Sequence, residues 1–196
     1  MSTPLPITSG VPQGSIIGPL LFIIYMNDMD QCLHNCSAGM YADDTTFYLK
    51  EKSTIILNTE IEEDMANVSK WCKNNRMVIN ENKTRSMLVG SKQRPSSLPH
   101  AELTIEIDGI PIQNVCCEKI LGVKIDNTLS WNEQVDYICK TITTRLALLR
   151  RIKPYIDHTV IMLYYNGYIL PIFYYCSTVR GTCNATFLQR LTLLHE

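Results

Sequence analysis

Apolar residues recur every three or four positions through the middle of the chain, and this period predicts helices. Between residues 53 and 75 the apolar positions form one stripe, with Asp64 at its flank: Leu57, Ile61, Met65, Val68 and Cys72. Such spacing is typical of an amphipathic helix. The outer face is acidic early (Glu60, Glu62, Glu63, Asp64) and basic late (Lys70, Lys73), an order that complements the helix dipole.

A second helical stripe runs from residue 130 to residue 152. Its apolar members are Trp131, Val135, Ile138, Ile142, Leu146, Leu149 and Ile152. Ser130 and Glu133 have the spacing of a capping box, and Pro154 ends the pattern. Further helical patterns lie at about 158–170 and 185–196, and we expect the stripe to be buried against both.

The first helix is predicted from about Gly18, with Pro19 in its first turn. It follows a glycine- and proline-containing loop over residues 10–15. Because its apolar residues between Leu20 and Met29 lie nearly all round the helix, the pattern predicts a buried helix.

Strands are predicted where apolar or aromatic residues alternate with polar ones. The segment from Met40 through Leu49 predicts a hairpin with Asp43 and Asp44 at its turn. Asp108-Gly109 lies between two alternating apolar segments, a strong signal for a two-residue hairpin turn. Residues 84–89 and 120–125 each predict one strand. Mixed helices and short strands indicate an α+β fold.

Charge is distributed unevenly along the 196 residues, although the net charge is only −1. Residues 1–66 hold nine acidic and two basic residues, whereas residues 67–154 hold fourteen basic and eight acidic residues. An acidic part suits divalent metal ions and a basic part suits a phosphate backbone. Ordinary solvated surface charge explains the same counts. Hydrophobic residues at 45% indicate a folded chain of one domain or parts of two.

The N-terminus shows no signal peptide, and no apolar run is long enough to span a bilayer. We therefore expect an intracellular protein whose eight cysteines are reduced thiols. Cys32 and Cys36 flank His34, but no second pair lies at the spacing of a zinc finger, so buried or idle thiols are the better interpretation.

Asp43 and Asp44 are the residues that most clearly indicate chemistry. Two adjacent carboxylates at a turn repel one another, and a bound divalent cation would remove that cost. Hard oxygen ligands suit Mg²⁺. An exposed Asp-Asp turn without function is the alternative when the pair is taken alone.

Four segments in order resemble the reverse transcriptases of non-LTR retrotransposons of the jockey-like LINE type. Residues 10–22 are similar to their glycine-rich motif, and residues 41–44 to their metal-binding motif. Residues 71–84 resemble the next motif, and residues 121–131 resemble the primer grip and its exit into the thumb. The resemblance covers roughly residues 10–153.

The resemblance implies a role for each matched residue. Asp43 and Asp44 would bind two Mg²⁺ ions and be catalytic. Gln13, Gly14, Tyr41 and Lys83 would contact the template and the incoming nucleotide, with Lys83 toward the triphosphate. Leu121, Gly122 and Val123 would hold the primer. The substrates would be an RNA template, a DNA primer and deoxynucleoside triphosphates, with no membrane, and the site of action would be the nucleus.

The resemblance also implies a division of the chain: a partial polymerase palm with a small antiparallel sheet over residues 1–128, and a helical thumb over 129–196. In the family a further metal-binding aspartate precedes the glycine-rich motif, and we find no acidic residue before Gly10. We therefore expect a polymerase fragment that is inactive in isolation. A degenerate or domesticated relic that only binds nucleic acid is the second hypothesis, and an unrelated Mg²⁺ hydrolase is a weaker third.

Overall fold

The computed structural model describes residues 10–11, 14–90, 103–180 and 189–190. These residues form helices and small two-stranded sheets joined by loops, which is consistent with the expected α+β class. The chain forms two compact units. The first unit contains residues 1–86 and 101–113, and the second contains residues 87–100 and 114–196. The palm and thumb boundary at residue 128 stays a prediction.

Helix α2, Thr54–Asn74, is the longest element of the first unit. It lies where the apolar period predicted a helix. The core of this unit is formed by buried apolar side chains from α2, from the segment before it and from residues 103–112: Met26, Met29, Leu57, Met65, Val68, Cys72, Leu103, Ile105, Ile107 and Ile112.

The prediction placed one residue of α2 on the wrong face of the helix. Asp64, assigned to the outer acidic face, is fully buried with 0% exposure. The position explains this, since Asp64 is seven residues after Leu57 and four before Val68 and so lies on the apolar stripe. Its carboxylate is tolerated there because backbone N–H groups satisfy it.

Helix α1, Gly18–Met26, starts where it was predicted but ends earlier, and a 3-10 turn follows at Met29–Cys32. The expectation that α1 is buried is wrong for this chain. Most of its apolar side chains are exposed, together with Ile16 and Ile17 before it. An all-round apolar pattern expresses a preference for burial, but it does not identify what covers the helix.

Five short strands belong to the first unit. They are β1 (Ser37–Tyr41), β2 (Asp44–Tyr48), β3 (Arg85–Ser86), β4 (Glu106–Ile107) and β5 (Ile110–Pro111). β1 pairs with β2, and β4 pairs with β5 through the Asp108-Gly109 turn, so both predicted hairpins are confirmed. The strand expected over residues 84–89 is reduced to β3. Strand β6, Gln113–Asn114, lies at the division between the units.

The second unit contains a hairpin where the sequence predicted a single strand. Residues 120–125 were predicted as one strand, but β7 (Cys117–Ile120) and β8 (Val123–Asp126) form two antiparallel strands. Leu121 and Gly122 make the turn, with φ values of 46° and 84°. Both are left-handed, which is the geometry of a type I′ hairpin turn.

Helix α3, Asn132–Ile152, carries the predicted apolar stripe. The stripe forms the core of the second unit with β8 and with the helical segment that follows. That segment consists of a 3-10 turn (Lys153–Tyr155), α4 (His158–Tyr164), a π-helical turn (Tyr165–Ile169), α5 (Leu170–Tyr174) and α6 (Ser177–Arg180). Burial against the predicted 158–170 helix is confirmed, while residues 185–196 lie outside the described residues apart from 189–190.

Ser130 does not cap α3, contrary to the capping box expected with Glu133. The residue before the helix is Trp131, which has a left-handed φ of 64°. Ser130 instead donates a hydrogen bond from its Oγ to Asp126. The buried Asp126 carboxylate also accepts from the Thr128 hydroxyl and from the backbone N–H groups of Thr128, Ser130 and Trp131 at 2.6–3.0 Å. This carboxylate, rather than a serine cap, holds the connection from β8 to α3.

Across the part of the chain that the structure describes, none of the helices has the length and apolar character needed to cross a membrane.

Candidate functional site

Asp43 and Asp44 lie at the tip of the β1–β2 hairpin, as the sequence predicted. Tyr41 pairs with Asp44 across the two strands, so Ala42 and Asp43 form the two-residue turn. Ala42 has a left-handed φ of 52°, an unusual conformation for a residue with a side chain. Both carboxylates are exposed. Within the described residues, neither makes a hydrogen bond or an ion pair that would neutralise it.

The donor set at this tip fits a hard divalent cation. Two successive carboxylates present four oxygen atoms to solvent at one turn. Magnesium typically takes one or two protein carboxylates and completes its coordination with water and phosphate oxygens. The described residues contain no group of three or more ligating side chains. If the tip binds such an ion, it would supply only part of the coordination sphere, and the remaining ligands would come from elsewhere.

Tyr41 is the third predicted residue at the hairpin tip. Its side chain is 67% exposed, and its position at the end of β1 puts it beside the aspartates. An exposed phenol ring next to a carboxylate pair can stack on a base or a sugar. The structure therefore brings Tyr41, Asp43 and Asp44 together on one turn.

The glycine-rich loop is described only in part. Gly14 is exposed with φ +86°, and a Cβ added to it would have no atom within 4 Å. Any other residue type would be unfavourable at this position because of the left-handed backbone conformation, although there is space for a side chain. Gln13 lies outside the described residues, so its expected template contact stays a prediction.

Lys83 closes a tight turn after α2. Its backbone N–H donates to the carbonyl of Asn80 at 3.0 Å and to the Asn80 side chain at 3.2 Å. The side chain is exposed, and no described carboxylate pairs with it. A fixed backbone with an exposed ammonium is suited to contact an anion, and the triphosphate assignment stays a prediction.

The predicted primer-holding residues lie at the β7–β8 turn of the second unit: Leu121 and Gly122 form the turn, and Val123 begins β8. Leu121 and Gly122 are exposed, whereas Val123 is buried in the core. Tyr175 supports this turn, because its hydroxyl donates to the Leu121 carbonyl and its ring lies 3.5 Å from where a Gly122 Cβ would be. Sequence reasoning missed Tyr175, since nothing in the pattern connects a residue after α5 with a turn more than fifty residues earlier.

A basic pair lies on the same hairpin. Lys119 and Lys124 are direct partners across β7 and β8, and both ammonium groups lie over the ring of Tyr137 on α3, at 5.6 and 5.7 Å from its centroid. Like charges directly opposite each other on a sheet are unfavourable. Glu133 offsets the charge of Lys124 only partly, at 3.7 Å. The pair is therefore suited to bind an anion.

Comparisons with known proteins agree with the motifs. The profile of the family described as "Reverse transcriptase (RNA-dependent DNA polymerase)" matches residues 2–142. The chain is 25% identical to the "RNA-directed DNA polymerase from mobile element jockey" of Drosophila melanogaster, over 96% of this chain and 21% of that protein. It is 26% identical to the "Probable RNA-directed DNA polymerase from transposon X-element" of the same species, over 75% of this chain and 16% of that protein.

A relative from another insect gives the same result. The chain is 28% identical to the "Retrovirus-related Pol polyprotein from type-1 retrotransposable element R1 2" of Nasonia vitripennis, over 86% of this chain and 42% of that protein. The chain spans about a fifth of the length of the first two relatives. No solved structure matches it significantly.

Proposed function

Because the chain belongs to the reverse transcriptase (RNA-dependent DNA polymerase) family, we propose that it acts as the metal-binding and primer-holding part of a longer retrotransposon polymerase. That polymerase would extend a DNA primer on an RNA template by nucleotidyl transfer. Residues 1–128 would be palm, and the helices after residue 128 would begin the thumb.

The exposed Asp43-Asp44 pair at a hairpin tip is the observation that carries this proposal. An isolated pair of aspartates in a turn is common, but here it follows an exposed tyrosine at the end of β1 and lies within a segment that the family profile matches. An exposed, unneutralised carboxylate pair at the end of a hairpin is available to a metal ion that also binds a substrate phosphate.

Asp43 and Asp44 would hold Mg²⁺ at the hairpin tip. When bound, two such ions activate the primer 3′-hydroxyl and neutralise the leaving pyrophosphate. The fixed place of the two carboxylates on the turn would position these ions. Tyr41 would contact the primer end or the nucleotide, and Gly14 would let the backbone approach the template base closely.

Lys83 and the β7–β8 hairpin would bind the phosphates of the substrates. The ammonium group of Lys83 would steady the triphosphate as negative charge develops on the leaving group. The turn at Leu121 and Gly122 would lie along the primer. Val123 would anchor this turn in the core, and Tyr175 would support it through its contacts with Leu121 and Gly122. Lys119 and Lys124 would neutralise backbone phosphates next to that turn.

Primer extension on an RNA template with Mg²⁺ tests the proposal. A longer polymerase that contains this chain and an upstream aspartate-bearing strand should extend the primer. The 196-residue chain alone should give no product, because phosphoryl transfer depends on complete metal positioning and on an oriented nucleotide. Nucleic-acid binding without extension by the longer protein would favour the relic hypothesis.

Removing Lys119 and Lys124 is expected to weaken binding of an RNA–DNA hybrid by the full chain. Each lysine that neutralises a phosphate should contribute about tenfold in affinity near 0.1 M salt, and its loss should lower the salt-dependence slope by about one. Fluorescence anisotropy of a labelled hybrid, measured for Lys119→Ala/Lys124→Ala across a salt series, gives both values.

The matched control is Lys50→Ala/Lys52→Ala, which removes the same charge from two exposed lysines of the first unit. This control should leave the salt slope nearly unchanged. An equal loss of affinity in both double variants would mean that only net charge matters, and would contradict a phosphate site on the β7–β8 hairpin.

A further inference from the structure

Asp64 binds the chain segment that leads directly into the β1–β2 hairpin. Its carboxylate accepts backbone N–H groups from three successive residues: His34 at 2.9 Å, Asn35 at 2.9 Å and Cys36 at 2.6 Å. The next residue, Ser37, is the first residue of β1. A side chain in the middle of α2 thus fixes the backbone where the hairpin begins.

The chemistry around Asp64 is matched to a charged carboxylate. Burial alone would raise its pKa, but the N–H groups of His34, Cys36 and Asn35 lower it further than burial raises it, so the pKa lies below its ordinary value. Burial and the neighbouring Asp64 raise the pKa of the Cys36 thiol to about 12. The thiol therefore stays protonated and donates to the same carboxylate.

A second set of contacts also ties this segment to α2, this time through a side chain of the segment. The Asn35 side-chain amide donates to the Glu60 carbonyl at 3.5 Å and to the Glu63 carboxylate at 3.3 Å. The preceding 3-10 turn is anchored by Met29, which is buried in the core. Residues 29–36 are therefore held along α2 up to the point where β1 starts.

The hairpin itself has little packing that could fix its direction. Among the ten residues of β1 and β2, only Ala38, Thr45 and Phe47 are partly shielded, and the others are exposed. Hydrogen bonds between the two strands hold them to each other but do not orient the pair. The direction of the hairpin therefore depends on its base.

We infer that Asp64 is a positioning residue for the hairpin that carries Asp43 and Asp44. Asp64 accepts hydrogen bonds from the N–H groups of His34, Asn35 and Cys36. These bonds fix the start of β1 against α2, and so they set the direction of the hairpin and the position of the two aspartates. The structural part of this inference stands on the contacts, and its catalytic meaning rests on the proposed function.

The residue type is specific to this task. Asn at position 64 keeps the size but offers one acceptor oxygen in place of two, so it leaves at least one buried N–H unsatisfied. Glu adds a methylene group at a site with no exposed surface. Both changes should loosen the base of the hairpin while α2 remains a helix.

The test measures the distance between the hairpin and α2 in the full chain. Unnatural amino acids that carry spin labels replace Thr46 and Lys70, which are both exposed, and pulsed electron paramagnetic resonance measures the distance between the two labels. The unchanged chain should give one narrow distance peak. Asp64→Asn should lose that peak and give a broad distribution, and Asp64→Glu should do the same if the asparagine variant fails to fold.

Asp126→Asn is the matched control, because Asp126 is another buried carboxylate that accepts several backbone N–H groups, in the second unit. It should lower stability without broadening the Thr46–Lys70 distance. A narrow peak in both Asp64 variants, or equal broadening in the control, would overturn the inference.

The catalytic consequence is measured separately in the longer polymerase. Asp64→Asn should lower kcat about a hundredfold, as expected for a small misplacement of catalytic groups, and should change the KM for nucleotide little. Broadening of the distance with an unchanged kcat would contradict the positioning role. If the longer protein is inactive with aspartate at position 64, the proposed function fails while the distance measurement still decides the structural role.

Discussion

Replacing Asp43 with asparagine is expected to lower primer extension about a thousandfold in a polymerase that contains this chain, a loss comparable to removing other charge-stabilising groups at active sites. The substitution keeps the size of the side chain and removes one negative charge from the hairpin tip. Because phosphoryl transfer depends on metal positioning and charge neutralisation, both would be impaired at once. Single-turnover extension of a labelled primer on an RNA template measures the rate.

Asp28→Asn is the control for this substitution. Asp28 is an exposed aspartate of the same unit, outside the four motifs, and its loss should leave the rate within about twofold, as is usual for surface substitutions. Because Asp43 is exposed and makes no stabilising contact among the described residues, Asp43→Asn should unfold at the same denaturant concentration as the unchanged chain. Normal extension by Asp43→Asn would remove the basis for the proposed metal site.

The hairpin at Asp43 could be predicted because its signals are local. Strand-forming residues on both sides and polar residues at the turn act within about ten positions, and a nearest-neighbour antiparallel pair requires little else. The same holds for the Asp108-Gly109 turn and for both long helices. In these elements the pattern of apolar residues and the fold depend on the same local physics.

Elements that depend on distant contacts were not predictable in this way. Asp64 lies on the apolar stripe of α2, yet nothing in the sequence says that backbone N–H groups from residues 34–36 will satisfy it. Leu121-Gly122 was missed as a turn because a leucine in the left-handed region has no sequence signature. The apolar pattern of α1 predicted burial, which is wrong for this chain, because burial depends on which other surfaces are present to cover the helix.

Asp126→Asn is expected to destabilise the second unit by about 3 kcal/mol at neutral pH, a typical cost of removing a charged acceptor from buried donors. The carboxylate accepts from the hydroxyl groups of Thr128 and Ser130 and from three backbone N–H groups between β8 and α3. An amide group in its place cannot accept on its nitrogen side. Asp136→Asn, an exposed site paired with Arg190 at 2.8 Å, should cost less than about 1 kcal/mol.

The pH dependence of this difference separates charge from packing. Burial alone would raise the pKa of Asp126, but the Thr128 hydroxyl and the N–H groups of Ser130, Thr128 and Trp131 lower it to about 2, below its ordinary value of 3.8. A carboxylate with a lowered pKa in the folded state stabilises the fold above its unfolded pKa. That contribution is lost as the pH falls through the folded pKa, so the relevant window lies between about pH 4 and pH 2.

The gap in unfolding free energy between the unchanged chain and Asp126→Asn should therefore shrink by about 2 kcal/mol from pH 5 to pH 2. Asp64 and Asp108 also have lowered pKa values, but both titrate in either protein and cancel in the difference. Urea unfolding followed by the fluorescence of Trp131, which is buried beside Asp126, gives the gap at each pH. A gap that stays constant over this window would mean that the asparagine disturbs packing alone, and that the charge on Asp126 does not hold β8 to α3.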